Sequence, residues 1–210
     1  MDTPDLTGIR IIHRAMRGDV HRLLTLAKDL DAGRQQADAT RAAAIARFTD
    51  DLCAMIHHHH AREDEAAWPV IERSAGAAVD LTDLSDDHSQ LDPLLDRARL
   101  AARAFASGRG GASEFEAAVR TLSEHLDEHI EEEERRIFPI IEQYVSTADW
   151  KALEKSLRSE NSRFELAWVD QYADPDEMAH IRKITGPILG LLLTLTRPGY
   201  RRRRRLIFGS

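Results

Sequence analysis

The sequence of 210 residues has almost no cysteine and no long apolar run. Its one cysteine, Cys53, excludes an internal disulfide, and the first ten residues lack the charged start and apolar core of a signal peptide. The longest apolar run, residues 188–195, is too short to cross a bilayer. We therefore expect a cytoplasmic protein without a transmembrane span.

Basic residues are scarce relative to acidic ones, except near the end of the sequence. The formal net charge is −7 although Arg201–Arg205 contribute five positive charges, so the rest of the chain carries −12. This acidic balance argues against nucleic acid as the main partner. We expect Arg201–Arg205 either to be part of a solvated tail or to contact an anionic partner.

Apolar residues make up 42% of the sequence and recur at helical spacing in four long segments. The segments cover about residues 9–30, 37–73, 81–106 and 113–144, and glycine-containing loops separate them. The sequence therefore predicts an all-α, up-down-up-down four-helix bundle in residues 1–146. Short C-terminal helices starting near residues 147 and 175, the first ending near Ser159, are expected to form an extension, 147–199, packed on the bundle. A basic tail, 200–210, follows.

Two of the four segments repeat one pattern of polar residues on an apolar face. His59 and Glu63 are four residues apart, as are His129 and Glu133, and a proline follows each glutamate at the same distance. Residues four apart on a helix lie on the same face. Burying these groups unpaired is costly, and a metal ion is an effective partner for both. The two copies indicate two halves of one dinuclear site.

The other two segments each carry a histidine at a core position, His13 and His88. In an up-down-up-down bundle, the starts of helices one and three and the ends of helices two and four lie at the same end. Counted in residues from the connecting loops, the polar positions of the four helices lie at the same level along the bundle to within about two helical turns. The predicted metal ligands are therefore His13, His59, Glu63, His88, His129 and Glu133.

Several neighbouring side chains are alternatives. His60 and Asp64 form a second pair at the same spacing, and the distance to the following proline favours His59 over His60. His125 lies one step off the apolar face and is expected to be an additional ligand or to support one. Tyr144 is a weaker candidate for a phenolate ligand. The residues expected on solvated faces are His21, His57, His58, Glu131, Glu132 and Glu134.

The predicted ligands limit the choice of metal. Four imidazoles and two carboxylates without a thiolate favour iron over zinc if the carboxylates bridge two ions. Two six-coordinate ions with a bridging oxygen would then keep about two positions open for a small molecule. No catalytic residue distinct from the metal centre is predicted.

These residues resemble the hemerythrin-like (HHE cation-binding) domain, in the H-HxxxE-H-HxxxE form found in actinobacterial proteins. The resemblance covers most of the first 160 residues and is carried by IHRAMR, HHHHAREDEAAWP and HIEEEERRIFPIIEQYVSTADW. It implies a pair of non-haem iron ions with an oxo or hydroxo bridge, and a role with dioxygen, hydrogen peroxide or nitric oxide. Oxygen-carrying members have a further histidine where this chain has Asp92, so simple reversible oxygen carriage is not favoured.

Two function classes follow from this interpretation. In the first, the protein is an enzyme that decomposes hydrogen peroxide, in a catalase-like reaction, or nitric oxide, and the open coordination positions favour this class. In the second, it is an oxygen- or iron-sensing module without turnover. A helical bundle that holds structural zinc is a third interpretation.

Overall fold

The computed structural model describes residues 3–157 and 162–209. Within these ranges the chain forms helices and turns and no strand, which confirms the predicted all-α class. A π-helical turn, Glu63–Ala67, joins the second helix to the third, and a 3₁₀ turn, Gly76–Ala78, follows the third. The α-helices are α1 (Thr7–Asp31), α2 (Ala39–Arg62), α3 (Trp68–Ala75), α4 (Thr82–Ala106), α5 (Ala112–Tyr144), α6 (Thr147–Ser156), α7 (Ser162–Tyr172), α8 (Pro175–Thr185) and α9 (Pro187–Phe208).

Local signals in the sequence set several helix boundaries. Asp38 begins α2 by accepting a hydrogen bond from the backbone N–H of Arg41, and Ser146 begins α6 in the same way. Gly33, after α1, adopts a φ of 70° that a residue with a side chain rarely takes. Ser159, the expected end of the first C-terminal helix, lies outside the described residues, and α6 ends at Ser156.

Four long helices form the bundle. Helix α1 packs along α5, α5 along α4, and α4 along α2, whereas the direct contact between α1 and α2 is smaller. Helix α7 packs on α1 and helix α9 on α2, and these two helices also contact each other. The C-terminal helices therefore cover the side of the bundle between α1 and α2. Of the helices described, none is long and apolar enough to traverse a membrane.

The buried apolar residues form two separate groups with a polar layer between them. Along α1, α2, α4 and α5, each histidine or glutamate of the predicted site lies between a residue of one group and a residue of the other. The larger group includes Met16, Ile56, Leu91 and Leu126. The smaller group includes Leu6, Ala67, Leu84 and Ile137. The interruption of the core thus coincides with the predicted ligands.

The second predicted helix, over residues 37–73, is interrupted in the structure. Helix α2 ends at Arg62, and in the π-helical turn the backbone N–H of Trp68 donates to the carbonyl of Glu63. Pro69 has no N–H to donate to residue 65 and its ring would clash with that carbonyl in a regular α-helix. The π-helical turn, which begins at the predicted ligand Glu63, accommodates Pro69.

The arginine-rich segment differs from the expected solvated tail. Residues 200–208 are the last turns of α9, and Ile207 is fully buried in the larger apolar group. Arg203 makes an ion pair with Asp51 at 2.6 Å, and the ring of Phe208 packs edge-on against Phe48. The apolar residues that follow the arginines therefore hold this segment on the bundle.

Candidate metal centre

The structure brings the predicted ligands together in two adjacent clusters. The first cluster is His13, His59 and Glu63, and the second is His60, His88 and His129. Within each cluster, one donor atom per residue lies within 4.8 Å of the others. Each cluster offers at least three donors, which is enough to hold a metal ion.

In the first cluster, three donor atoms surround one small volume. Nε2 of His13 and Nε2 of His59 lie 3.0 Å apart, and Oε1 of Glu63 lies 3.0 Å from Nε2 of His59. The side chain of His13 is fully buried and that of His59 is 18% exposed. The donors come from α1, the end of α2 and the first residue of the π-helical turn.

In the second cluster, three imidazoles meet. Nε2 of His88 and Nε2 of His129 lie 3.1 Å apart, and the ring of His60 stacks on His88 with 4.6 Å between centroids. All three residues are buried, and Nε2 of His60 has no hydrogen-bond partner among the described residues. An unpaired ring nitrogen beside two other imidazoles suits a metal ligand better than a packed core residue.

Two buried carboxylates lie between the clusters. Oε2 of Glu63 is 3.8 Å from Nε2 of His88, while its other oxygen contacts the first cluster. Oε2 of Glu133 is 3.7 Å from Nε2 of His13 and 3.8 Å from Nε2 of His129. Although Oε1 of Glu63 lies 3.0 Å from Nε2 of His59, none of the four oxygens of Glu63 and Glu133 makes a hydrogen bond of normal geometry within the described part of the chain. Buried carboxylates without hydrogen bonds are costly, and a cation between them would remove that cost.

Burial and the crowded carboxylates shift the pKa values of several groups in the site. Burial alone lowers the pKa of His13, but the charge of Glu133, together with Glu134 and Glu63, raises it to about 10. Burial lowers the pKa of His129 to about 3. Burial and the charge of Glu63 raise the pKa of Glu133 well above its ordinary value. Together these shifts favour a proton on the His13–Glu133 pair, and a bound metal ion would have to displace it.

Two acidic side chains orient the histidines contributed by α1 and α4. Nδ1 of His13 lies 3.0 Å from Oε1 of Glu134, and Nδ1 of His88 lies 2.9 Å from Oδ2 of Asp64. The hydroxyl of Ser85 donates to the other oxygen of Asp64 at 2.7 Å. An N–H donated from Nδ1 leaves the Nε2 lone pair facing the cluster.

Glu134 was expected on a solvated face, and this expectation was wrong. Its side chain is 32% exposed and contacts the buried His13. A signal for this role is present in the sequence, since Asp64 and Glu134 each directly follow one of the two central glutamates, Glu63 and Glu133.

The repeated pattern also includes an aromatic residue. The ring of Phe138 stacks on His13 with centroids 5.9 Å apart, and Trp68 stacks on His88 at 6.0 Å. Both aromatic residues directly precede the proline of their repeat. Each repeat thus supplies a histidine, a glutamate, an acidic hydrogen-bond partner and an aromatic ring.

The remaining candidates lie at the margin of the site or away from it. His125 is half-buried and Tyr144 is 39% exposed. Neither residue belongs to one of the two clusters found among the described residues. His57 and Asp92 pair on the surface at 2.7 Å, and His21 pairs with Asp127 at 2.6 Å. Glu131 and Glu132 are exposed, and so is His57, as expected for solvated faces.

A cavity of about 270 Å³ leads to the first cluster. Ile9 and Ile12 of α1, Met55 of α2 and Trp150 of α6 line it with apolar surface, and the wall reaches His59 and Glu63. His58 and Arg62 add polar groups. The cavity provides space for a small molecule beside the first cluster.

Comparison with known proteins gives one family. The family described as hemerythrin HHE cation binding domain matches residues 6–141. No curated protein and no solved structure matches the chain. The matched range contains all the residues of both clusters, and the description as a cation-binding domain agrees with the arrangement of their donors.

Proposed function

The chain belongs to the hemerythrin HHE cation-binding family, and on that premise we propose that it is a non-haem di-iron protein that reacts with hydrogen peroxide or nitric oxide. The first cluster would hold one iron ion and the second cluster the other, with Glu63 and Glu133 shared between them. We also propose that the protein acts in the cytoplasm.

One observation carries the proposal: two sets of imidazole nitrogens are linked by two buried carboxylates whose oxygens have no hydrogen-bond partner among the described residues. A single structural zinc ion would use four donors in a closed tetrahedron and leave the remaining polar groups buried and unpaired. Two ions would use all of them.

The types of donor support iron over zinc. The two clusters and the carboxylates between them supply imidazole and carboxylate donors and no thiolate.

The two clusters have unequal numbers of imidazoles, two in the first and three in the second. An ion held by the first cluster would therefore have fewer imidazole ligands than one held by the second, which would leave more room for a small molecule. The cavity of about 270 Å³ reaches the first cluster through His59 and Glu63. Its mostly apolar lining suits nitric oxide and dioxygen, and the polar groups of His58 and Arg62 in the same wall suit hydrogen peroxide.

The protein itself contributes position, orientation and exclusion of water. Glu134 and Asp64 fix the ring orientation of His13 and His88, and the stacked rings of Phe138 and Trp68 restrict their movement. A bound iron pair would supply reversible one-electron changes on each ion. In the catalase-like reaction one peroxide molecule is reduced to water and a second is oxidised to dioxygen, so no external reductant is required.

A sensing module is the second candidate, and the position of the cavity favours it. Trp150 and Leu153 of α6 and Trp168 of α7 line the same cavity as His59 and Glu63. A molecule bound there would therefore contact both the metal site and the C-terminal helices. A shift of these helices would report the bound state to a partner.

Oxygen evolution from hydrogen peroxide tests the proposal. Iron-loaded protein should release dioxygen, and the His59→Ala and Glu133→Ala variants should not. His57→Ala and Glu128→Ala are matched controls, because both residues are exposed on the same helices, and they should retain activity. An inert protein whose absorption spectrum changes reversibly with oxygen would support the sensing module instead.

A further inference from the structure

A second cavity, of about 350 Å³, lies between α1, α7 and α9, away from the metal centre. Arg22 comes from α1, Asp170 and Gln171 from α7, and the remaining lining residues from α9 and Gly209. Five of the lining residues are arginines: Arg22, Arg197, Arg201, Arg204 and Arg205.

The positive charge of this cavity is largely uncompensated. Arg197 pairs with Asp170, its Nε donating to Oδ2 at 2.8 Å. The other four arginines make no ion pair with a carboxylate in the part of the chain that the structure describes. The whole chain is acidic, with a net charge of −7, so this concentration of positive charge runs against its overall composition. Four like charges around one cavity repel each other unless an anion binds.

Aromatic contacts hold two of these guanidinium groups in place. The guanidinium of Arg22 lies 4.7 Å from the ring centroid of Phe208, and that of Arg204 lies 5.7 Å from the centroid of Tyr200. A guanidinium stacked on a ring keeps its N–H groups available to an anion. Arg197, Arg201 and Arg205 also line the cavity, and they follow one another at intervals of four residues on one face of α9.

We propose that this cavity binds a small anion with two adjacent phosphoryl groups, of the pyrophosphate class. Guanidinium groups match the geometry of phosphate oxygens and donate two hydrogen bonds to them. A single phosphate group carries a charge of about −1.5 to −2 at pH 7, so two adjacent phosphoryl groups compensate the four arginines more fully than one does. A cavity of about 350 Å³ has the size of a small-molecule site.

Isothermal titration of the full chain with sodium pyrophosphate, at about 0.1 M salt, tests the proposal. Saturable binding of one anion per chain is expected. Arg201→Gln and Arg22→Gln should each weaken it about tenfold or more, since each removes a charge-assisted hydrogen bond. Arg202→Gln is the matched control, because Arg202 is an exposed neighbour that does not line the cavity, and it should bind as the unaltered protein does.

These variants distinguish a specific anion site from nonspecific electrostatic attraction. All variants keep the metal centre, so heat from chelation of iron by pyrophosphate is common to the series. Circular dichroism should show that Arg22→Gln has the helix content of the unaltered protein. A loss of pyrophosphate binding by this variant is then not caused by a folding defect. The proposal would be overturned by absence of pyrophosphate binding, or by equal losses in Arg201→Gln and Arg202→Gln. Tighter binding to anionic lipid vesicles or to a single-stranded oligonucleotide than to pyrophosphate would overturn it as well.

Discussion

Replacing Glu133 with methionine separates the cost of burying this carboxylate from its role as a metal ligand. Glu133 is 0% exposed and neither of its oxygens has a hydrogen-bond partner among the described residues. An unpaired buried polar group costs about 1–3 kcal/mol. His13 keeps Glu134 at 3.0 Å and Glu63 at 3.8 Å, so the substitution does not leave the imidazole without an acidic partner.

Metal-free Glu133→Met protein should therefore be more stable than the metal-free wild type. We expect a gain of about 2 kcal/mol in the free energy of unfolding, which for a chain of this size raises Tm by roughly 4–8 °C. Iron should reverse the order. At about one hundred times its dissociation constant, a ligand stabilises the native state by about 2.7 kcal/mol, and this gain requires an intact site.

The assay is thermal unfolding, followed by circular dichroism, of both proteins after treatment with a chelator and again after anaerobic loading with ferrous iron. Glu128→Met is the control, because Glu128 is exposed on the same helix and its substitution should change stability by less than about 0.5 kcal/mol. If metal-free Glu133→Met is less stable than metal-free wild type, Glu133 is a structural residue and the reasoning is refuted.

Three further predictions concern other parts of the molecule. Asp64→Asn should lower metal affinity about 10- to 100-fold by weakening the hydrogen bond to its neighbouring imidazole, whereas the exposed Asp86→Asn should not; competition with a chelator measures both. Gly18→Ala should destabilise the protein by about 1–3 kcal/mol in chemical denaturation, because the added Cβ would lie 2.3 Å from Cε1 of Tyr172; an unchanged midpoint would contradict this. Burial raises the pKa of Asp19, so the wild type should lose stability relative to Asp19→Asn as pH rises from 3.8 through the raised value, and parallel stability curves would rule out that shift.

The fold class and the grouping of the candidate ligands could be predicted because they depend on spacing along single helices, and the family was predicted from the resemblance of its motifs. In each His-x3-Glu repeat the two side chains lie on one face of their helix, and this does not depend on how the neighbouring helices pack. The up-down-up-down order then brings the four helix positions to one level. The predicted family is confirmed, and its match covers residues 6–141.

The position of His60 could not be predicted from spacing. A bundle helix has two neighbours, and consecutive residues point in directions that differ by about 100°. His59 faces His13 on α1, while His60 faces His88 on α4. The helical repeat predicts the difference in direction between the two side chains around the axis of α2. It does not predict which helices lie on either side of α2.

The docking of the C-terminal helices depends on contacts between residues far apart in the sequence. Asp19 is fully buried, and it accepts hydrogen bonds from Nε1 of Trp168 at 2.7 Å and from the hydroxyl of Tyr172 at 2.6 Å. An aspartate on the apolar face of α1 carries no indication of partners about 150 positions away. The packing of the arginine-rich segment could not be predicted for the same reason, since the core contacts of Ile207 come from other helices.

The metal content of the protein tests the central claim most directly. Protein purified without a metal-affinity column and loaded anaerobically with ferrous iron should contain two iron ions per chain by elemental mass spectrometry. Glu63→Ala and Glu133→Ala proteins should contain fewer. One ion per chain, or zinc that iron does not replace, would contradict a di-iron centre built from the two clusters and their shared carboxylates.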